Sequence, residues 1–184
     1  MISLLVVIGL IVIVALWFIG VQRKLVRLEE MMKNAIGQIN AQLKSRWDAI
    51  SNLVKMTAKY AAHEHDTLND VIKQRRQTAS TAEEVNSQNS AIQSVLGRLM
   101  VVAEQYPELK ADEMFSRTMA DITGYEEKVR LSRMVFNDSV TKLNTLIRQF
   151  PSSIVAGALH FTTKEYLAED QAKSEAPDIN EIYK

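Results

Sequence analysis

The sequence has no cysteine, only three prolines and six glycines, and no net charge, with 22 Lys and Arg set against 22 Asp and Glu. Without cysteine there is no disulfide framework, no thiolate metal site and no cysteine nucleophile. Sparse proline and glycine disfavour a turn-rich β fold. A pI near 6.8 gives no electrostatic basis for binding nucleic acid. Charge is also missing locally, since none of Met1–Gln22 carries any. At 184 residues the chain is about one domain long.

The chargeless start is what is there instead. Ile2–Val21 (ISLLVVIGLIVIVALWFIGV) departs from the apolar set only at Ser3, Gly9 and Gly20. As a helix it spans about 30 Å, the thickness of a hydrocarbon core. Trp17 and Phe18 lie near its end, where aromatic rings favour the membrane interface. A cleaved signal peptide would need a basic start, a shorter apolar run and a small-x-small cleavage site, and this stretch has none of them. Arg23, Lys24, Arg27 and Lys33 follow the span of this predicted single-pass membrane protein, so the positive-inside rule sets its orientation. Its amino terminus would lie outside and its C-terminal domain in the cytoplasm.

From Gln22 to Tyr106 there is no proline, and an apolar stripe runs in steps of three and four. It reads Leu25, Leu28, Met32, Ile36, Ile39, Leu43, Trp47, Ile50, Val54, Thr57, Ala61, His65, Leu68, Ile72. This spacing predicts one helix from the anchor to about Thr78. In the polar stretch 78–89, Ser80 or Thr81 with Glu83 or Glu84 resembles a capping box. A second helix follows and stops at Pro107. A third runs from about Ala111 to Gln149 on a stripe that alternates fours and threes: Phe115, Met119, Ile122, Glu126, Val129, Arg133, Phe136, Val140, Leu143, Ile147, Phe150. That is the period of supercoiled helix pairs and bundles. Pro151 ends it, and residues 152–161 read as a short last helix.

The predicted architecture is therefore all-α. A transmembrane anchor (1–22) continues into an elongated up-down-up bundle of three long helices plus a short C-terminal helix (23–161), followed by a flexible acidic tail (162–184). A second helix shorter than the first leaves Leu25, Leu28, Met32, Ile36, Ile39 and Leu43 without a partner near the membrane. They are the predicted contact with another copy of the chain.

Polar residues interrupt the stripes. Glu126 and Arg133 occupy stripe positions, Asn137 and Asn144 border them, and Arg46, Asp48 and Asn52 lie beside Trp47 and Ile50. Charges facing a core must be paired. These seven are read as a structural polar layer that sets register, in preference to a ligand or catalytic site, because no nucleophile with a base accompanies them. Were there an enzyme here, Glu126, His63 and Asp48 would be its candidates. His63 and His65 lie about 200° apart on a helix, so they cannot share one ion. No catalytic residue, cofactor, metal or small-molecule substrate is predicted.

Several stretches resemble the LemA family of bacterial membrane proteins. Leu43–Val54 (LKSRWDAISNLV) is similar to the family's L-x-R-R-x-D-L-I-P-N-L-V, and Tyr60–Glu64 (YAAHE) continues it. Val102–Phe115 (VAEQYPELKADEMF) is similar to A-E-x-Y-P-x-L-K-A-x-x-x-F. Glu126–Phe161 resembles E-x-x-I-x-x-x-R-x-x-Y-N followed by F-P-x-x-x-x-A-x-x-x-x-F. Ser45, Ala49, Ser51 and Phe136 depart from the pattern, and the loss of the family's proline at Ser51 favours an unbroken first helix. The resemblance implies a helical bundle on one N-terminal span, with no established enzymatic activity. A magnetosome-associated relative, and members encoded near a membrane metalloprotease, point to membrane organisation or envelope quality control. The expected function is a homo-oligomeric scaffold. The alternative is an adaptor or sensor that presents its bundle end or tail to a membrane protease or signalling partner.

Overall fold

The structure, a computed structural model, describes residues 2–60 and 78–167. Five helices follow one another: α1 (Ile2–Tyr60), α2 (Ala82–Gln105), α3 (Pro107–Lys110), α4 (Glu113–Arg148) and α5 (Ser152–Ala158). There are no strands among the described residues. The all-α class, the long N-terminal helix and the three long helices with a short C-terminal one match the expectation. The family proline's absence at Ser51 leaves α1 unbroken through Tyr60, about 88 Å of continuous helix. The remainder of its predicted course, with Ala61, His63, His65, Leu68 and Ile72, lies outside the described residues.

The punctuation of the chain is chemical. Thr81 accepts a hydrogen bond from the Glu84 backbone N–H, and the Glu84 carboxylate accepts from the Thr81 N–H, which makes the expected capping box on α2. Pro107 stops α2 and then occupies the first position of α3, where its missing N–H costs nothing. Asp112 caps α4 by accepting from Met114 N–H (2.8 Å) and Phe115 N–H (3.2 Å). Helix α5 ends with Phe161 N–H on the Ala156 carbonyl and His160 N–H on that of Gly157, with His160 at φ 58°. That is a Schellman close with a histidine where glycine is usual.

The helix directions differ from the up-down-up expectation. Asn40 is bonded to Ala79, and Arg46 to Asn89, so α2 runs parallel to α1. Tyr60 meets Asp112, Arg46 meets Glu126 and Gln38 meets Ser132, so α4 runs antiparallel to α1. An apolar stripe specifies which face is buried, not which way the covering helix points. The short-connection argument failed because α2 begins beside the middle of α1 and not at its far end.

This reversal also corrects the proposed oligomer contact. Helix α4 returns along the whole of α1 outside the anchor and covers the stripe itself. Leu25 and Ile39 are fully buried, Leu28, Met32 and Leu43 are buried, and Ile36 packs against the same core. Each fully buried aliphatic side chain contributes about 1.5–3 kcal/mol. A second copy would have to open the bundle to reach them.

Candidate functional site

Two polar systems lie inside the bundle. The first centres on Arg46 of α1, which is fully buried. Its Nη1 donates to Asn89 Oδ1 of α2 at 2.7 Å, and its Nη2 lies 3.8 Å from Glu126 Oε2 of α4. Gln93 of α2 donates to the other Glu126 oxygen at 3.3 Å. One guanidinium thus ties three helices together. Its helical neighbours Ile50 and Leu43 keep it dry, while Glu126 stays about a quarter exposed and holds its charge at the rim. A planar donor fork suits this junction in a way a lysine could not.

The second system is made of neutral amides. Asn144 donates to the Lys164 carbonyl and accepts the Lys164 N–H, both at 2.9 Å. Asn137, two turns earlier, does the same with Leu167 at 3.0 and 2.9 Å. Asn40 holds Ala79 in the same way at 2.7 and 3.0 Å. Each side-chain amide satisfies both polar groups of one residue's backbone, which has no helical partner there. Residues 161–167 thereby form a strap laid back along α4, with Leu167 buried at its end. The tail expected to begin at residue 162 is therefore bound as far as 167.

The seven residues read as one layer do not assemble as one. Arg46 and Glu126 meet. Arg133 is buried separately on α4, two turns from Glu126. Asn137 and Asn144 are clamps for the strap. Asp48 and Asn52 are exposed, because they fall on the far side of α1 from Leu43, Ile50 and Leu53. Asn40, Asn89, Gln93 and Asp112 are the partners that pattern reading passed over. Asn40 adjoins the stripe residue Ile39, but a partner that is backbone leaves no mark in the sequence.

At the far end of the bundle, the Asp112 carboxylate also accepts from the Tyr60 hydroxyl at 3.1 Å. The Phe115 backbone N–H above all, with the Tyr60 hydroxyl, the Met114 N–H and the nearby Lys59 charge, holds that carboxyl below the ordinary aspartate range against the opposing effect of burial. On the surface, Glu30 raises Lys33 through one hydrogen bond and its charge, and Glu127 raises Arg130 through two hydrogen bonds and its charge. Among the described residues no three His, Asp or Glu side chains gather in a way that could hold a metal. His63, one of the three enzyme candidates, lies outside the described residues.

Near the anchor, Lys24, Arg27 and Leu28 of α1 line an open groove of about 400 Å³ with Thr141, Lys142, Thr145 and Leu146 of α4. Three cations rim an apolar floor there. The N-terminal part of α1 is the one stretch among the described residues long and apolar enough to cross a membrane, and its side chains are exposed up to Trp17.

Comparison with known sequences agrees with this architecture. The chain is 24% identical over 158 residues to the magnetosome protein MamQ of Magnetospirillum gryphiswaldense, covering 71% of this chain and 58% of that one. It is 26% identical over 145 residues to the protein LemA of Metamycoplasma hominis, covering 77% and 66%. A MamQ protein of Paramagnetospirillum magneticum is 23% identical over 158 residues, covering 71% and 58%. The chain thus spans about three fifths to two thirds of the length of these relatives. The sequence model of the LemA family matches residues 35–180, which takes in α2 to α5, the strap and the distal two fifths of α1. The protein belongs to the LemA family.

Proposed function

We propose that this protein is a single-pass, membrane-anchored helical scaffold that organises membrane through self-association and performs no catalysis. The observation that carries the reading is the unbroken α1, which joins an exposed apolar span to a bundle whose interior is filled by side chains. Relatives named as magnetosome proteins support a role in membrane organisation. The contact between copies moves from the buried stripe to the outward face of α4, where Leu131, Met134 and Val135 are exposed together. An anchor holds this patch at one height in every copy, so like patches meet in the membrane plane. Mass measurement of full-length protein in detergent at rising concentration tests this. Oligomers that dissociate in Leu131→Glu/Val135→Glu support it, and a monomer at every concentration overturns it.

The bundle is assigned to the cytoplasmic side of the inner membrane by the basic collar Arg23–Lys33. Labelling of Lys184→Cys in sealed vesicles checks this side directly, since the chain has no other cysteine.

The adaptor reading keeps one supporting observation. The strap is held as far as Leu167, and residues 168–184 carry five acids and two bases. Truncation after Leu167 leaves α5 and both clamps in place. Loss of capture of a membrane protease or signalling partner, with self-association intact, favours the adaptor.

A further inference from the structure

We propose that the corner between α4 and α5 is a second membrane contact, with Phe150 and Ile154 seated in the interfacial layer of the same bilayer that α1 crosses. This rests on reading residues 2–21 as a membrane span.

The periodicity places Phe150 on the buried stripe of the third helix, yet it is 77% exposed, the most exposed large apolar side chain outside the anchor among the described residues. The helix stops at Arg148, and the chain turns at Pro151 before the stripe can reach it. Ile154, on the first turn of α5, is 61% exposed. Two such side chains at one corner of a bundle need a medium that accepts them.

Their height identifies that medium. The groove pairs Lys24–Leu28 with Thr141–Leu146 in an antiparallel register. Continuing it past Leu146 brings Phe150 level with about Gly20 or Val21, the last turn of the apolar span. Helix α5 packs against α1 there. Val21 is buried, and Phe18, inside the span, packs against the core. The corner is therefore within one helix diameter of the point where α1 enters the hydrocarbon. Exposed Arg23, Lys24, Arg27 and Arg148 lie at the same level, where lipid phosphates would meet them. Apolar side chains below and cations above are the pattern of a segment lying in the interface.

The chain lacks cysteine, so single nitroxide labels can be placed without background. Full-length Ile11→Cys, Ile154→Cys and Asp121→Cys would be labelled in nanodiscs of phosphatidylcholine and phosphatidylglycerol. Collision with oxygen, which concentrates in lipid, is compared with collision with a water-soluble nickel chelate. The expected result is oxygen-rich and nickel-poor collision at 11 and 154, and the reverse at 121, about 44 Å along α4 from Phe150 and clear of the proposed contact between copies. In Phe150→Asp, nickel collision at 154 should rise several-fold; an unchanged value removes Phe150 from the contact and overturns the proposal as stated. A label at 154 as nickel-accessible as that at 121, with 11 still protected, overturns the inference and leaves the anchor standing. A label at 154 shielded from both reagents means that protein covers the corner, which also overturns it. Nickel access at 11 shows that the span reading itself has failed.

Discussion

The two halves of the bundle solve the same packing problem differently. Beyond Asn40, α1 is covered by two long helices, α2 and α4, and the three are joined by a buried charge. Nearer the apolar N-terminal span it is covered by α4, α5 and a strap, and the fastenings are neutral amides gripping backbone. A guanidinium at a three-helix junction chooses partners by charge and shape, so it penalises wrong register. An amide clamp chooses only a peptide unit, so it fixes a segment that has no helical repeat of its own. The distal half is therefore specified by side chains, and the proximal half by geometry plus the buried Leu167 of the strap.

The largest expected effect tests the distal half. Arg46→Ala strands Glu126 and Asn89 and opens a cavity, which should lower unfolding stability by about 3–5 kcal/mol in chemical denaturation. Arg46→Leu combined with Glu126→Leu should recover most of that loss, since both charges leave together. If the double variant is as unstable as Arg46→Ala, the junction is not an ion-pair device. Glu126→Leu alone should lower melting with no effect on any turnover.

Next comes the proximal half. Asn144→Ala removes two hydrogen bonds and leaves the Lys164 backbone unpaired, at about 1–3 kcal/mol. The discriminating measurement is amide hydrogen exchange. Protection at Lys164 and Leu167 should fall while that of α2 is unchanged, because the strap opens locally. Loss of protection throughout would mean that the two halves unfold as one.

A smaller effect, and one that depends on pH, belongs to the far end. The Asp112 carboxyl is lowered in the folded state, so its contribution is present above the ordinary aspartate pKa and disappears as pH falls through the folded value. Asp112→Asn keeps an oxygen for the cap but has no charge to lose. Its melting temperature should show a shallower decline on the acid side than the wild type, and parallel acid limbs would contradict this role. The smallest change is at His160, whose positive φ suits glycine. His160→Gly should be neutral or stabilise by up to about 1 kcal/mol.

The sequence makes some of this plain and hides the rest for identifiable reasons. Stripe spacing, the Thr81–Glu84 box and the stops at Pro107 and Pro151 are local chemistry, and each lies where pattern reading puts it. Helix direction is not local. Leu25 and Ile39 announce burial without naming α4 as their cover, which is how a buried stripe came to look like an interface. Asn137 and Asn144 show a seven-residue spacing that suits a core layer equally well, and their true partners are backbone atoms. Arg46 and Glu126 stand out as charges among apolar residues, and that contradiction between composition and position is the one polar signal that led directly to a contact.

The continuity of α1 has a mechanical consequence. Tyr60 lies about 58 Å beyond Val21 on one unbroken helix, so the anchor and bundle form a rigid lever. A 10° change in the tilt of the span, well within the range that bilayer thickness imposes on single helices, would swing the distal end by about 10 Å. A footing at the α4–α5 corner would brace that lever against the leaflet, turning membrane thickness or curvature into the angle at which the bundle stands.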